Sequence, residues 1–198
     1  MSTIESDNQI NILELQQKKL KLYNERPTFF INSQCIRACG MIFYRINKSN
    51  EIELLLIKND KSIYEDIGGK TDKIDNRFVD TLFREVEEET NKVINKSIVK
   101  EEYCLIDNCI NENNYSKLNY VYNFSSKYLI VLCKANKVIS DLTSNDFGKH
   151  ELLNEKIVKT RKIEWISLKS FLTKPIHPRI YIKGLESKFK KLQKTLFI

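Results

Sequence analysis

The apolar positions of this chain fall into runs of two kinds. "CIRACGMIFYRI" and "IELLLIKN" are short, β-branched or aromatic, and parted by the polar break "NKSNE". They predict a strand pair, Cys35–Ile46 and Ile52–Asn59. Further strands are expected near Ser97–Ile106, Tyr120–Ser125, Tyr128–Lys134 and Lys162–Ile166, with "NENNYSKLN" as a polar loop. The other runs have helical spacing. "NILELQQKKLKLYNE" sets Ile12, Leu13, Leu15, Leu20 and Leu22 among good helix formers, and Arg26-Pro27 should end it. A second helix is expected from about Arg77 to Thr90, and "SLKSFL" opens a short third one. "KPIHPRI" reads as an extended linker. "LESKFKKLQKTLF" reads as a basic amphipathic helix with Leu185, Phe189, Leu192 and Leu196 on one stripe. Strands with helices between and after them make a layered α/β domain over residues 34–173. A helical extension precedes it over 1–33, and a linker with a basic helix follows over 174–198.

Composition narrows the class. A chain of 198 residues, 41% hydrophobic, suits one packed domain with extensions and excludes global disorder. No apolar run reaches 18 residues, so neither a transmembrane helix nor a membrane partner is expected. "MSTIESDNQI" lacks the basic and apolar regions of a signal peptide, which points to an intracellular, cytoplasmic protein. Five cysteines without the doubled short spacing of a zinc site read as buried free thiols. The net charge of +7 favours encounters with phosphates, although the abundance of Lys, Ile and Asn together also fits an AT-rich coding sequence.

Against that positive charge, "YEDIGGKTDKIDNRFVDTLFREVEEETN" gathers carboxylates. At about 100° per residue, Val79, Leu82, Phe83, Val86 and Thr90 form a core-facing stripe. Arg84, Glu85, Glu88 and Glu89 fall opposite, while Glu87 points elsewhere. Like charges three and four residues apart repel by a few tenths of a kcal/mol per pair, and Arg84 offsets part of this. Hard divalent cations want oxygen ligands, and Mg²⁺ commonly takes a few carboxylates with waters and substrate phosphates. By spacing alone the cluster fits a solvated face as well as half of a metal–phosphate site. Gly68 and Gly69 just before it would let the backbone approach an ion or phosphate, or simply form a turn.

Loop and helix together resemble the Nudix box, G-x5-E-x7-R-E-U-x-E-E-x-G-U with U aliphatic. Gly69 matches the first glycine, and Arg84, Glu85, Val86, Glu88 and Glu89 match R-E-U-x-E-E. The departures are Asp75 at the first acidic position, eight residues rather than seven between it and Arg84, Asn91 for the closing glycine, and Lys92 for the last aliphatic residue. Asn is the next-best residue for a left-handed helix C-cap. The resemblance spans about Arg37 to Leu172, and Trp165-Ile166-Ser167-Leu168 is similar to the segment that commonly closes such domains.

The resemblance implies an α/β/α sandwich built on a mixed sheet. It implies hydrolysis of a diphosphate linkage in a nucleoside diphosphate derivative, by water, with Mg²⁺ or Mn²⁺ bound. Glu85, Glu88 and Glu89 would be catalytic metal ligands, joined by the carbonyl of Gly69, and Arg84 would brace them through salt bridges. The general base varies in this family and often lies on a later loop; Glu151, Glu155 and Glu164 are the candidates. Homodimers are frequent in the family, so a homodimer is expected. Two further readings stay open. Capped RNA could be the substrate, with Lys188, Lys190, Lys191 and Lys194 of the last helix holding its backbone. Alternatively the chain is a non-catalytic module that binds a nucleotide or a partner.

Overall fold

A computed structural model describes residues 25–153, 156–180 and 183–195. The helix expected over residues 11–25 lies, apart from Glu25, outside them. The apolar run expected as one strand from Cys35 to Ile46 is two. β1 (Phe29–Ile31) and β2 (Gln34–Ile36) form a small antiparallel hairpin, turned by Asn32 and Ser33, both left-handed with φ 47° and 66°. The break falls at Arg37, whose N–H donates to the carbonyl of Lys127 and whose carbonyl accepts from Thr71. After it β3 (Ala38–Ile46) enters the main sheet.

That sheet is eight-stranded among the described residues. Its order is β7 (Tyr120–Asn123), β8 (Tyr128–Lys134), β3, β4 (Ile52–Asn59), β10 (Lys156–Ser167), β9 (His150–Leu153). β5 (Tyr64–Glu65) pairs with β4, and β6 (Ile67–Lys70) pairs with β3. β3 and β8 run parallel and the other pairs antiparallel, so the sheet is mixed.

Strand alternation sends side chains to two cores. Met41, Phe43, Leu55, Ile57, Leu129, Val131 and Ile163 meet Val79, Leu82, Phe83 and Val86 of helix α1 (Phe78–Glu89) and Ile106 and Cys109 of α2 (Lys100–Asn111). Ile42, Tyr44, Leu54, Leu56, Ile130, Leu132 and Ile166 meet the opposite layer. That layer comprises Leu168 and Phe171 of α4 (Leu168–Phe171) and Leu185 and Phe189 of α5 (Lys183–Thr195). A short α3 (Lys137–Asp141) follows β8. The protein is an α/β/α sandwich. Each fully buried Leu or Phe contributes about 2–5 kcal/mol relative to Ala, so neither layer is dispensable.

The segment Ser97–Ile106, expected as a strand, instead leads into α2. Ile98, Val99, Tyr103 and Ile106 suggest a strand, but Ile106 and Cys109 are the buried positions of α2, spaced three apart on one helical face. "KPIHPRI" is extended but not a free linker. Tyr64 N–H donates to the carbonyl of Pro175 and His177 N–H donates to that of Tyr64, which stitches the segment alongside β5. A 3-10 turn, Pro178–Ile180, follows and turns Arg179 back toward the β5–β6 junction.

β3 and β6 approach closely where Gly40 pairs with Gly68. A Cβ on Gly68 would lie 2.3 Å from the Cα of Gly40 and 2.4 Å from the carbonyl oxygen of Cys39. One on Gly40 would lie 1.8 Å from a carboxylate oxygen of Asp66.

Candidate active site

Helix α1 starts where Asp80 accepts from the N–H groups of Asn76 (3.1 Å) and Arg77 (3.0 Å), satisfying donors that a helix N-terminus leaves open. The apolar stripe fixes its rotation against the sheet. The acidic side is thereby laid against β6, the strand of Gly68 and Gly69. The helix ends at Asn91, left-handed with φ 53°. The Asn91 amide donates to the carbonyls of Phe147 (3.0 Å) and His150 (2.8 Å), and its oxygen accepts from Leu152 N–H (2.9 Å). A glycine there would supply the turn but not these bonds, which tie the helix exit to the β9 edge.

Arg84 sits at the centre of the acidic side. Nε donates to Asp75 Oδ1 (3.0 Å) and Nη2 to Asp75 Oδ2 (3.0 Å), a two-point grip. Nη1 donates to Glu85 Oε1 (2.8 Å) and Glu88 Oε2 (3.2 Å), and Nη2 also reaches the carbonyl of Lys70 (2.8 Å). Burial alone would weaken Arg84's hold on its proton, but Asp75 and Glu85 outweigh it and keep the guanidinium above its usual range. Asp75 is penalised by burial yet lies below the usual carboxylate range, because Arg84, the Asp72 N–H and the Thr81 hydroxyl all bond its charged form. Burial pushes Glu85 up, with Arg84 opposing. The Glu85 carboxylate rests against Gly69, where a Cβ would come within 2.2 Å of Oε2.

Glu89 is held differently. Its Oε2 accepts from the N–H of Gly68 (2.7 Å), and its Oε1 from Lys159 Nζ (2.9 Å). Lys159 also lies 3.2 Å from Glu151 Oε2, so one ammonium bridges two carboxylates. Burial pushes Glu89 up to about 7 even though Lys159 pulls the other way. Lys159 stands on β10 directly opposite Glu151 on β9.

No family model matches the chain, and no curated protein matches it. Among solved structures it is similar to a C. elegans Ap4A hydrolase in a binary complex, at 17% identity and a TM-score of 0.47, over 81% of this chain and 98% of that one. It is also similar to RenU, a Nudix hydrolase from M. smegmatis, at 12% identity and a TM-score of 0.43, over 82% and 87%. A Nudix hydrolase from Alicyclobacillus acidocaldarius is similar at 13% identity and a TM-score of 0.42, over 80% and 91%. The reading of the site rests on its own residues.

Those residues offer a donor set of the right kind for Mg²⁺ or Mn²⁺: hard carboxylate oxygens beside a backbone turn. The Glu88 side chain is 41% exposed, so an ion can reach the cluster from solvent. Among the described residues no three His, Cys, Asp or Glu side chains converge closely enough to hold an ion. Here Arg84 and Lys159 supply the counter-charge.

The candidate bases are separated by the fold. Glu151 joins the Glu89–Lys159 cluster. Glu164 faces the other layer, accepting from the Tyr64 hydroxyl (2.7 Å) and pairing with Lys162. Glu155 lies outside the described residues. On α5, Lys188 stands over the Tyr120 ring at 5.3 Å, Lys190 pairs with Glu186 at 2.5 Å, and Lys191 has interactions of its own. The Lys194 side chain is outside those described. Sequence reasoning missed Lys159, because "KIVKTRK" is too polar to read as strand. It also missed a second charge cluster. Buried Asp66 accepts from Arg179 Nε (2.8 Å) and from the Tyr128 hydroxyl (2.7 Å). Arg179 Nη2 reaches the Asp66 carbonyl (3.0 Å) and lies 3.5 Å from Glu65. Burial works against Arg179's charge, but Asp66, Tyr128 and Glu65 hold it above its usual range.

Proposed function

We propose that this chain is a Nudix-type hydrolase that cleaves a diphosphate linkage in a nucleoside diphosphate derivative. The observation that carries the reading is the fan of Glu85, Glu88 and Glu89 laid over the Gly68-Gly69 strand, with Arg84 bracing two of the three. Glu85, Glu88 and Glu89 would hold a divalent cation, which when bound would neutralise charge at the phosphates and ease deprotonation of water. The chain's own residues do the rest. Arg84 fixes the carboxylate of Glu85 against Gly69 and that of Glu88 at the surface. The Gly68 N–H orients Glu89. Glu151 is the base we assign to receive the proton of the attacking water, since it sits with Glu89 around Lys159 whereas Glu164 is bound on the far side of the sheet.

The test is product release from nucleoside triphosphates, ADP-ribose, a dinucleoside polyphosphate and cap-labelled RNA, with Mg²⁺ or Mn²⁺ and with EDTA. Turnover of one substrate, abolished by EDTA, is expected. Glu88→Gln should lower kcat by roughly two to three orders of magnitude while melting as the wild type does. A Glu88→Gln protein with the parental rate would remove Glu88 from the chemistry, and no turnover with nucleotide binding kept would make the chain a binding module.

A further inference from the structure

The glutamates of the site are divided between two cations that are held in opposite ways. Arg84 grips Asp75 at two points and bonds the Lys70 carbonyl as well as Glu85 and Glu88, and its side chain is 16% exposed. Lys159 has no such seat. Among the described residues its ammonium rests on two carboxylates, Glu89 Oε1 at 2.9 Å and Glu151 Oε2 at 3.2 Å. Its side chain is 37% exposed. A lysine ammonium is a strongly hydrated point charge on a flexible stem, so its return to water costs little. Arg161, two residues on along the same face of β10, is of the fixed kind again. It is 3% exposed and donates to the carbonyls of Phe147 (3.3 Å) and Gly148 (3.2 Å).

The backbone delivers Lys159 to this place by an irregularity. Lys156 pairs with Leu153 and Ile157 with Leu152, and the register then slips, so that Lys159 rather than Val158 stands opposite Glu151. A bulge of this kind re-aims a side chain. Here it moves an apolar residue off the position, leaving Val158 54% exposed, and puts a cation there.

Two further features fit a partner that is exchanged rather than a permanent tie. Glu151 Oε2 is buried and accepts no hydrogen bond, despite the approach of Lys159. The ion pair therefore leaves that oxygen unsatisfied. Glu89 is also held at its other oxygen, Oε2, by the Gly68 N–H (2.7 Å), so its carboxylate stays in place when Oε1 loses its ammonium.

We propose that Lys159 is a built-in stand-in for the divalent cation: it neutralises Glu89 and Glu151 until the ion arrives, and the ion takes Glu89 by displacing it. A doubly charged ion attracts each carboxylate more strongly than an ammonium does at the same distance. The inference rests on the hydrolase reading for the role of the glutamates, and it adds a gate to that reading. Glu151, the base assigned above, is tied to the ammonium before the ion binds and is released with it.

The experiment has two readouts, neither of them turnover. In calorimetric titration of the full chain with Mn²⁺, Lys159→Met should bind the ion about tenfold more tightly than the wild type. Lys162→Met, which removes an ammonium paired with Glu164 on the other face of the sheet, should bind as the wild type does. The second readout uses the wild type and so stands even if Lys159→Met fails to fold. Acetylation of lysine amines by N-hydroxysuccinimidyl acetate, read residue by residue by mass spectrometry, should be slow at Lys159 and rise severalfold on addition of Mn²⁺, with Lys162 unchanged. An unchanged rate at Lys159 would overturn the proposal, because tighter binding by the variant would then reflect charge acting without displacement. Equal affinities of Lys159→Met and the wild type would overturn it as well. Failure of the two readings is distinguishable. Metal-dependent turnover with Lys159 unmoved would sink the gate and leave the hydrolase. Displacement of Lys159 by Mn²⁺ in a chain that cleaves no diphosphate would do the reverse.

Discussion

Two of the arginine–aspartate grips, Arg179–Asp66 and Arg84–Asp75, end differently. Arg179 clasps Asp66 between the sheet and the C-terminal layer, Tyr128 fills the remaining oxygen of that carboxylate, and the Asp66 side chain has no exposure. Arg84 clasps Asp75, itself only 2% exposed at its side chain, but then extends its outer nitrogen to Glu85 and Glu88, and Glu88 stands at the surface. The first network closes on itself, while the second starts from a closed pair and ends in carboxylate oxygens turned toward water. Saturated charge clusters hold a fold together, and a cluster with lone pairs left over is equipped to take a ligand.

Breaking the closed grip should have the largest effect. Arg179→Ala leaves Asp66 buried and unpaired, and should cost about 3–5 kcal/mol in urea denaturation. A loss below about 1 kcal/mol would mean Asp66 is not carried by Arg179. Arg84→Lys sharpens the contrast. It keeps the charge and loses the fork, so kcat/KM should fall about 10–100-fold with a much smaller loss of stability than Arg179→Ala. Stability lost with activity intact would make the two grips equivalent. The smallest effect is a pH dependence at Glu89. Its acid in the fold sits at about 7, above the ordinary 4.5. The fold therefore favours the protonated acid, and that contribution is complete below about 4.5 and lost as pH rises through 7. Glutamine imitates the protonated form. The melting temperature of Glu89→Gln should gain on the wild type between about pH 5 and pH 8. Parallel melting curves across that range would show that Lys159 already compensates the charge.

Much of this was legible along the chain because one helix does two jobs. Val79, Leu82, Phe83 and Val86 fix the rotation of α1, and rotation alone then dictates where Arg84, Glu85, Glu88 and Glu89 point. The strands β3, β4, β7 and β8 were legible too, being apolar on both faces or bounded by turns. What stayed hidden has a common cause. β9 and the first half of β10 are held by their ladder and by Asn91, and their apolar residues Leu152, Ile157 and Val158 are exposed, so "HELLNEKIVKTRK" shows no alternation to read. Lys159 and Arg161 were lost with them. Ser97–Ile106 misled for the converse reason: its β-branched residues suggest a strand, and only the packing of Ile106 and Cys109 against the sheet decides for a helix. Arg179 is remote in sequence from Asp66, and a single buried pair leaves no periodic trace.

The facing glycines of β3 and β6 bear on descent. At Gly68 the obstacle is backbone, so no change of side chain elsewhere can make room there, and at Gly40 it is the Asp66 and Tyr128 side chains, which the Arg179 network holds in place. The glutamates are under no such restriction: on the proposed function, losing them would cost chemistry and not the fold. In a lineage drifting away from catalysis, the acidic residues would be the first to vary and the two glycines the last. The glycines therefore record ancestry, and the glutamates record use.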